Sequence, residues 1–225
     1  MMPRWRYGVL RPLLQLGVAL LSLGSGGTVL AGPAKPASQP KLIWAFGDSL
    51  MAGYGLQPDQ GFVPQLEAAL RRAGIAATVR NGGVAGDTAA QGRARLLWGL
   101  RGLGMTPDLV IVELGANDML RGLPAAQMAD NLDRILAELQ RRHIPVLLAG
   151  MRAAPNLGPE YRRAFESAYP ALAKRYRVPL YPFFLDGVAG DRALIQGDGM
   201  HPNPQGVGIV VRRMVPAVRA ALRRP

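Results

Sequence analysis

A serine, an aspartate and a histidine lie in loops that follow two apolar runs. Ser49 stands in FGDSLMAGYG, and DGMHPN holds His201 with Asp198 three residues before it. A neighbouring imidazole makes a serine nucleophilic by accepting its proton, and a carboxylate on the other ring nitrogen fixes the imidazole tautomer. These residues therefore fit nucleophilic catalysis. Taken singly, each motif also fits a helix cap or a polar turn.

Two further loops supply hydrogen-bond donors. NGGVAGDT places Gly86 just before a predicted helix start, where a backbone N–H can approach an anion. ELGANDML ends a strongly apolar run at Asn117, whose side-chain amide can donate hydrogen bonds. An ordinary loop glycine and an Asx turn are the structural alternatives for these two residues.

Strands alternating with helices must position these loops. Apolar runs predict five strands, at 41–47, 77–83, 108–115, 145–151 and 178–184, and helical periodicity predicts intervening helices, one of them over 87–103 with Asp87 as its N-cap. This alternation predicts an α/β fold, a three-layer α/β/α sandwich around a flavodoxin-like, five-stranded parallel sheet. Ligands of such sheets lie beyond the carboxyl ends of the strands, where all four motifs fall.

The four motifs occur in one order, one at each of four predicted strand ends. FGDSLMAGYG, NGGVAGDTAAQGRARL, ELGANDMLRGL and DGMHPN resemble the SGNH/GDSL hydrolase family, in the bacterial branch of arylesterases, lysophospholipases and acyl thioesterases. The resemblance implies that Ser49 is the nucleophile, that His201 is the general base and that Asp198 orients it. It also implies an oxyanion hole formed by the N–H groups of Ser49 and Gly86 and the amide of Asn117.

The expected substrate is a small ester or a lipid. Met51, Tyr54, Met119 and Leu120 are apolar residues near the predicted rim, and they favour an acyl chain over a sugar. A carbohydrate O-deacetylase of the same family is the enzymatic alternative. The non-enzymatic alternative is a binding protein that holds a ligand at the same site without turnover. The complete set of site residues argues against this alternative.

The N-terminus has the order of a secretory signal peptide. Residues 1–31 run from arginines through an apolar stretch to small residues at Val29 and Ala31, and 32–40 are rich in proline and alanine. We therefore predict a signal peptide at 1–31, a flexible segment at 32–40 and a single hydrolase domain at 41–225. The protein is expected to be exported, to the periplasm or beyond the cell.

Composition narrows the cofactors and partners that the protein is expected to have. The chain has no cysteine and two histidines far apart in sequence, so we predict no metal site and no cofactor. The formal charge is +12 and becomes +9 without residues 1–31. This charge favours weak association with an anionic envelope surface. No nucleic-acid motif accompanies it, so we expect no nucleic-acid partner, and we expect a monomer.

Overall fold

The structure of the protein is a computed structural model that describes residues 39–223. The predicted signal peptide and most of the predicted flexible segment lie outside the described residues. They remain predictions, as does the boundary of the hydrolase domain.

Five parallel strands form one sheet in the order β2-β1-β3-β4-β5. The strands are β1 Lys41–Gly47, β2 Ala77–Gly83, β3 Leu109–Glu113, β4 Val146–Ala149 and β5 Leu180–Tyr181. This order is that of the flavodoxin-like sheet. The predicted three-layer sandwich is therefore confirmed, and β1 and β3, neighbours at its centre, carry two of the predicted loops to the same edge.

Helices cover both faces of this sheet. The helices are α1 Ser49–Ala52, α2 Phe62–Arg72, α3 Ala89–Gly102, α4 Ala116–Leu120, α5 Ala125–Arg141, α6 Pro159–Tyr176 and α7 Pro204–Ala221. The helices α2 and α7 pack together on one face, and α3, α5 and α6 pack on the other. Every residue of β3 is buried, as expected of a central strand covered on both sides.

Several predicted boundaries were wrong. The third and fourth strands, predicted at 108–115 and 145–151, run only over Leu109–Glu113 and Val146–Ala149. Thr88, and not Asp87, is the N-cap of α3, because Thr88 and Gln91 form a reciprocal capping box. The fifth strand is two residues long rather than the seven expected, since pairing with β4 is limited to Leu180 and Tyr181. Among residues 39–223, no helix is long and apolar enough to cross a membrane.

Candidate active site

Ser49, His201 and Asp198 form one chain of hydrogen bonds at the carboxyl edge of the sheet. Ser49 Oγ lies 2.9 Å from His201 Nε2, and His201 Nδ1 lies 2.6 Å from Asp198 Oδ2. Ser49 opens α1 directly after β1, whereas His201 and Asp198 lie in the loop before α7. A hydroxyl, an imidazole and a carboxylate in this series can move a proton from the hydroxyl to the ring.

Asp198 is held as a carboxylate. Its Oδ1 accepts hydrogen bonds from the N–H groups of Met200 (2.9 Å) and His201 (3.0 Å), while Oδ2 faces the imidazole. These bonds lower the pKa of Asp198 to about 2, the His201 N–H having the largest effect. Asp198 therefore stays ionised at all ordinary pH values, and the His201 Nδ1 beside it is expected to carry the hydrogen.

The loop that carries Ser49 is fixed by Asp48. Asp48 is the N-cap of α1, and its Oδ1 accepts from the Leu50 N–H at 3.0 Å. The helix that begins at Ser49 is only four residues long and ends at Gly53 in the left-handed conformation. Ser49 is thus the first residue of a capped turn and not the cap itself, so the helix-cap interpretation of this serine is wrong.

Ser49, Gly86 and Asn117, which each carry one of the predicted donor groups, line the same cleft. Within residues 39–223, the N–H groups of Ser49 and Gly86 have no hydrogen-bond partner. Gly86 has a φ of +85°, which favours glycine. The Asn117 amide is occupied, because its Nδ2 donates to Asp48 Oδ2 and to the Asp87 carbonyl, each at 3.0 Å.

A layer of charged residues holds the Gly86 and Asn117 loops together. Asp87 pairs with Arg95 Nε, and Arg95 Nη2 also donates to the Gly47 carbonyl at 2.8 Å. Asp118 Oδ2 accepts from the Ala89 N–H at 2.8 Å and so caps α3 from another segment. Sequence analysis did not find these partners. The Arg95 bond to Gly47 and the Asp118 bond to Ala89 connect residues that are distant in the chain.

A second buried carboxyl group belongs to Glu113. It ends β3 and is completely buried, with no hydrogen-bond donor on either carboxyl oxygen among the described residues. Arg121, the cation nearest in sequence, donates instead to the Gly86 carbonyl at 2.6 Å. Burial raises the pKa of Glu113 well above its usual value, and the Asp48 charge raises it further.

An apolar cleft of about 360 Å³ opens beside Ser49 and His201. Tyr54, Met119 and Leu120 line it, as expected of substrate-binding residues. Met51 does not: it is fully buried in the core beneath α1, so its assignment to the substrate pocket was wrong. The cleft residues that sequence reasoning missed include Met151, Arg152, Phe183, Leu185, Ala189 and Met200.

Several of these missed residues follow the carboxyl ends of β4 and β5. The rule that ligands lie beyond strand ends could therefore have indicated them. Arg152 is the one cation that lines the cleft within the described residues, and its guanidinium lies 5.0 Å from the centroid of the Phe183 ring.

The second histidine lies away from this site. His143 follows α5 in the left-handed conformation and precedes β4, at the amino edge of the sheet. Over residues 39–223 there is also no group of three or more His, Asp or Glu side chains placed to hold a metal ion.

The fold and the hydrogen-bonded serine, histidine and aspartate together define a serine hydrolase on a flavodoxin-like sheet. Residues 45–209 match the GDSL-like Lipase/Acylhydrolase family, which is most of the chain. The protein therefore belongs to this family, and the predicted SGNH/GDSL membership is confirmed.

Named relatives agree with this assignment. The chain is 41% identical to Esterase TesA of Pseudomonas aeruginosa, over 74% of this chain and 81% of that protein. It is 39% identical to an Arylesterase of Vibrio mimicus, over 76% of this chain and 84% of that protein. The crystal structure of AlinE4, an SGNH-hydrolase family esterase, superposes with a TM-score of 0.71 at 50% identity, covering 83% of this chain and 99% of AlinE4. The protein is accordingly a carboxylic ester hydrolase.

Proposed function

We propose that the protein hydrolyses carboxylic esters through an acyl-enzyme on Ser49. The observation that carries this proposal is the short series of contacts from Ser49 Oγ through His201 to Asp198, at the mouth of an apolar cleft. Esterases and arylesterases among the relatives support the same reaction class.

The geometry supports a two-step reaction. Ser49 Oγ attacks the ester carbonyl while His201 Nε2 accepts the hydroxyl proton, and Asp198 stabilises the imidazolium that forms. The leaving alcohol receives this proton, and a water activated by His201 then releases the acid. Proton transfer of this kind contributes about 10²–10⁴-fold in rate.

The oxyanion of each tetrahedral intermediate requires donors in the same place. The N–H groups of Ser49 and Gly86 are free to bind it. The Asn117 amide can join them by exchanging one of its two protein acceptors for the oxyanion. Each such donor contributes about 3–4 kcal/mol to the stabilisation of the transition state.

The proposed substrates carry an apolar acyl chain. Tyr54, Met119, Leu120 and Met200 give the cleft a mainly apolar wall, which suits a hydrocarbon chain better than the hydroxyl groups of a sugar. The name of the Vibrio mimicus relative indicates aryl esters as a substrate class. A further relative, Thioesterase 1/protease 1/lysophospholipase L1 of Escherichia coli, is 38% identical over 74% of this chain and 78% of that protein, and its name indicates acyl thioesters and lysophospholipids. We place the protein outside the cytoplasm, as a monomer with weak affinity for anionic envelope surfaces.

Hydrolysis rates for p-nitrophenyl esters from acetate to laurate test this proposal. We expect turnover by residues 32–225 that is greatest for medium or long acyl chains and is lost in Ser49→Ala. Activity restricted to acetate would favour the deacetylase. An unchanged rate in Ser49→Ala would contradict the proposed nucleophile, and no activity on any ester would contradict the proposed substrate class.

A further inference from the structure

Two carboxyl groups lie buried together behind the nucleophile, and the reaction proposed above uses neither of them directly. Asp48 and Glu113 are both completely inaccessible to solvent. They lie on neighbouring strands at the same edge of the sheet, because Gly47, the residue before Asp48, pairs with Glu113 in the β1–β3 register. Glu113 therefore points into the space directly beneath α1.

Gly47 shows where the Glu113 carboxyl lies. A Cβ atom at residue 47 would stand closest to the Glu113 backbone carbonyl oxygen, and would lie 2.6 Å from Met51 Cγ and 2.7 Å from Glu113 Oε2. Any side chain at this position would displace one of these groups. The glycine of the GDSL motif is thus required by the backbone carbonyl of Glu113, and the Glu113 carboxyl and the Met51 side chain also pack over it.

No cation neutralises the pair. Within residues 39–223, neither Asp48 nor Glu113 forms an ion pair with lysine or arginine, and the nearby Arg95 is engaged by Asp87 and the Gly47 carbonyl. Tyr169, on α6, donates its hydroxyl to the Leu114 carbonyl at 3.0 Å. Burial has the largest effect on the pKa of Glu113 and raises it, the Asp48 charge raises it further, and the backbone N–H of Asp48 lowers it.

Two neighbouring carboxyl groups that are both inaccessible to solvent cannot both be ionised, because water does not screen the repulsion between the two negative charges. The bonds that each group makes decide which of the two keeps its charge. Asp48 accepts from the Leu50 N–H and from Asn117 Nδ2, whereas Glu113 accepts from no donor of normal geometry. The charge is therefore better stabilised on Asp48, and the proton of the pair is assigned to Glu113.

We propose that Glu113 is a protonated positioning residue, which donates a hydrogen bond to the Asp48 carboxylate and thereby holds Asp48 against the Asn117 amide. The raised pKa of Glu113 agrees with this assignment. Asp48 then connects three parts of the site, the first turn of α1, the end of β3 and the amide that supplies the third oxyanion donor. The effect on catalysis rests on the proposed function, but the protonation state does not.

Infrared difference spectroscopy tests the protonation state without reference to activity. At about pH 8, where ordinary carboxyl groups are ionised, the wild-type spectrum should contain a protonated-acid C=O stretch that is absent from Glu113→Gln. An identical pair of spectra would overturn the proposal, whatever the enzyme's activity.

Kinetics of three variants then test the positioning role. Glu113→Gln retains an N–H donor toward Asp48, so we expect kcat within about threefold of wild type, a change smaller than the loss of one hydrogen bond. Glu113→Leu removes the donor and should lower kcat about tenfold or more, with KM unchanged. Asp48→Asn should also lower kcat about tenfold, since one amide oxygen cannot serve both Leu50 and Asn117.

The pattern of kcat values across these variants shows whether the positioning role or the proposed function is wrong. Equal loss of kcat in Glu113→Gln and Glu113→Leu would overturn the donor role of Glu113. Activity that survives Ser49→Ala would instead reject the proposed function while leaving the infrared result intact. Thermal unfolding of Glu113→Leu separates a misfolded variant from a misplaced oxyanion donor, and the Glu113→Gln result decides the proposal even if Glu113→Leu does not fold.

Discussion

Replacement of Asn117 by alanine tests the proposed oxyanion hole. The amide of Asn117 is one of three proposed donors, and the N–H groups of Ser49 and Gly86 remain in the variant. Loss of one donor costs about 3–4 kcal/mol in the transition state, so kcat should fall by about 10²–10³-fold. KM should change little, because the ground-state ester carbonyl carries much less charge than the oxyanion.

The structure adds a second consequence of this substitution. Asn117 Nδ2 is hydrogen bonded to Asp48 Oδ2 and to the Asp87 carbonyl, and alanine leaves both acceptors without this donor. Each unsatisfied buried acceptor costs about 1–3 kcal/mol, so the free energy of unfolding should also fall. The stability loss alone does not lower kcat when the assay is run well below the melting temperature.

Steady-state kinetics on a p-nitrophenyl ester, with urea unfolding of the same preparations, provide the measurement. Asn131→Ala is the matched control, because Asn131 is a buried asparagine whose amide donates to the Gln127 carbonyl within α5, away from the cleft. We expect the control to lose stability and keep its kcat. A kcat for Asn117→Ala within threefold of wild type would refute the assignment of this amide to the oxyanion hole.

Three other predictions concern stability and backbone geometry. Burial raises the pKa of Asp48 from 3.8 to about 6. The folded state therefore binds the Asp48 proton more tightly than the unfolded state does. As the pH rises from below 4 to above 6, the protein should lose up to about 3 kcal/mol of stability from this group. Asp48→Asn should remove the part of this loss that Asp48 contributes, so its unfolding free energy in urea should fall less than that of wild type between about pH 4 and about pH 7. An equal fall in the two proteins would contradict the reasoning. Met51→Ala should lower the unfolding free energy by about 2–5 kcal/mol and leave the acyl-chain preference unchanged, since Met51 is a core residue. A changed preference in the ester series would instead show that Met51 contributes to the substrate pocket. Gly86→Ala should lower the unfolding free energy by about 1–2 kcal/mol, because the φ of this residue is +85°. It should also lower kcat, because the backbone N–H of residue 86 is displaced. Unaltered kinetics would contradict the assignment of this N–H as an oxyanion donor.

The fold was predictable because strands and helices alternate along most of the chain. The continuous apolar run through β3 and the apolar run of β1, which ends at a glycine, indicate buried parallel strands in the sequence itself. Motifs that follow parallel strands must meet at one edge of the sheet, so Ser49, Asn117 and His201 could be placed together without a structure.

Other features depended on three-dimensional packing. Met51 lies two residues after Ser49, but the short helix α1 turns its side chain into the core rather than the cleft. Glu113 looks like a surface residue in the sequence, since carboxylates are seldom fully buried, and only the strand register brings it against Asp48. The bond between Asp118 and the Ala89 N–H likewise joins residues far apart in the chain.

Covalent labelling with a fluorophosphonate tests the central claim most directly. An activated serine attacks the phosphonate phosphorus and displaces fluoride, which adds one phosphonyl group to the chain. The account predicts a single adduct on Ser49, detected by intact mass and peptide mapping, which is absent in Ser49→Ala and much slower to form in His201→Ala. No adduct on the folded wild-type protein, or an adduct on another residue that persists in Ser49→Ala, would contradict it.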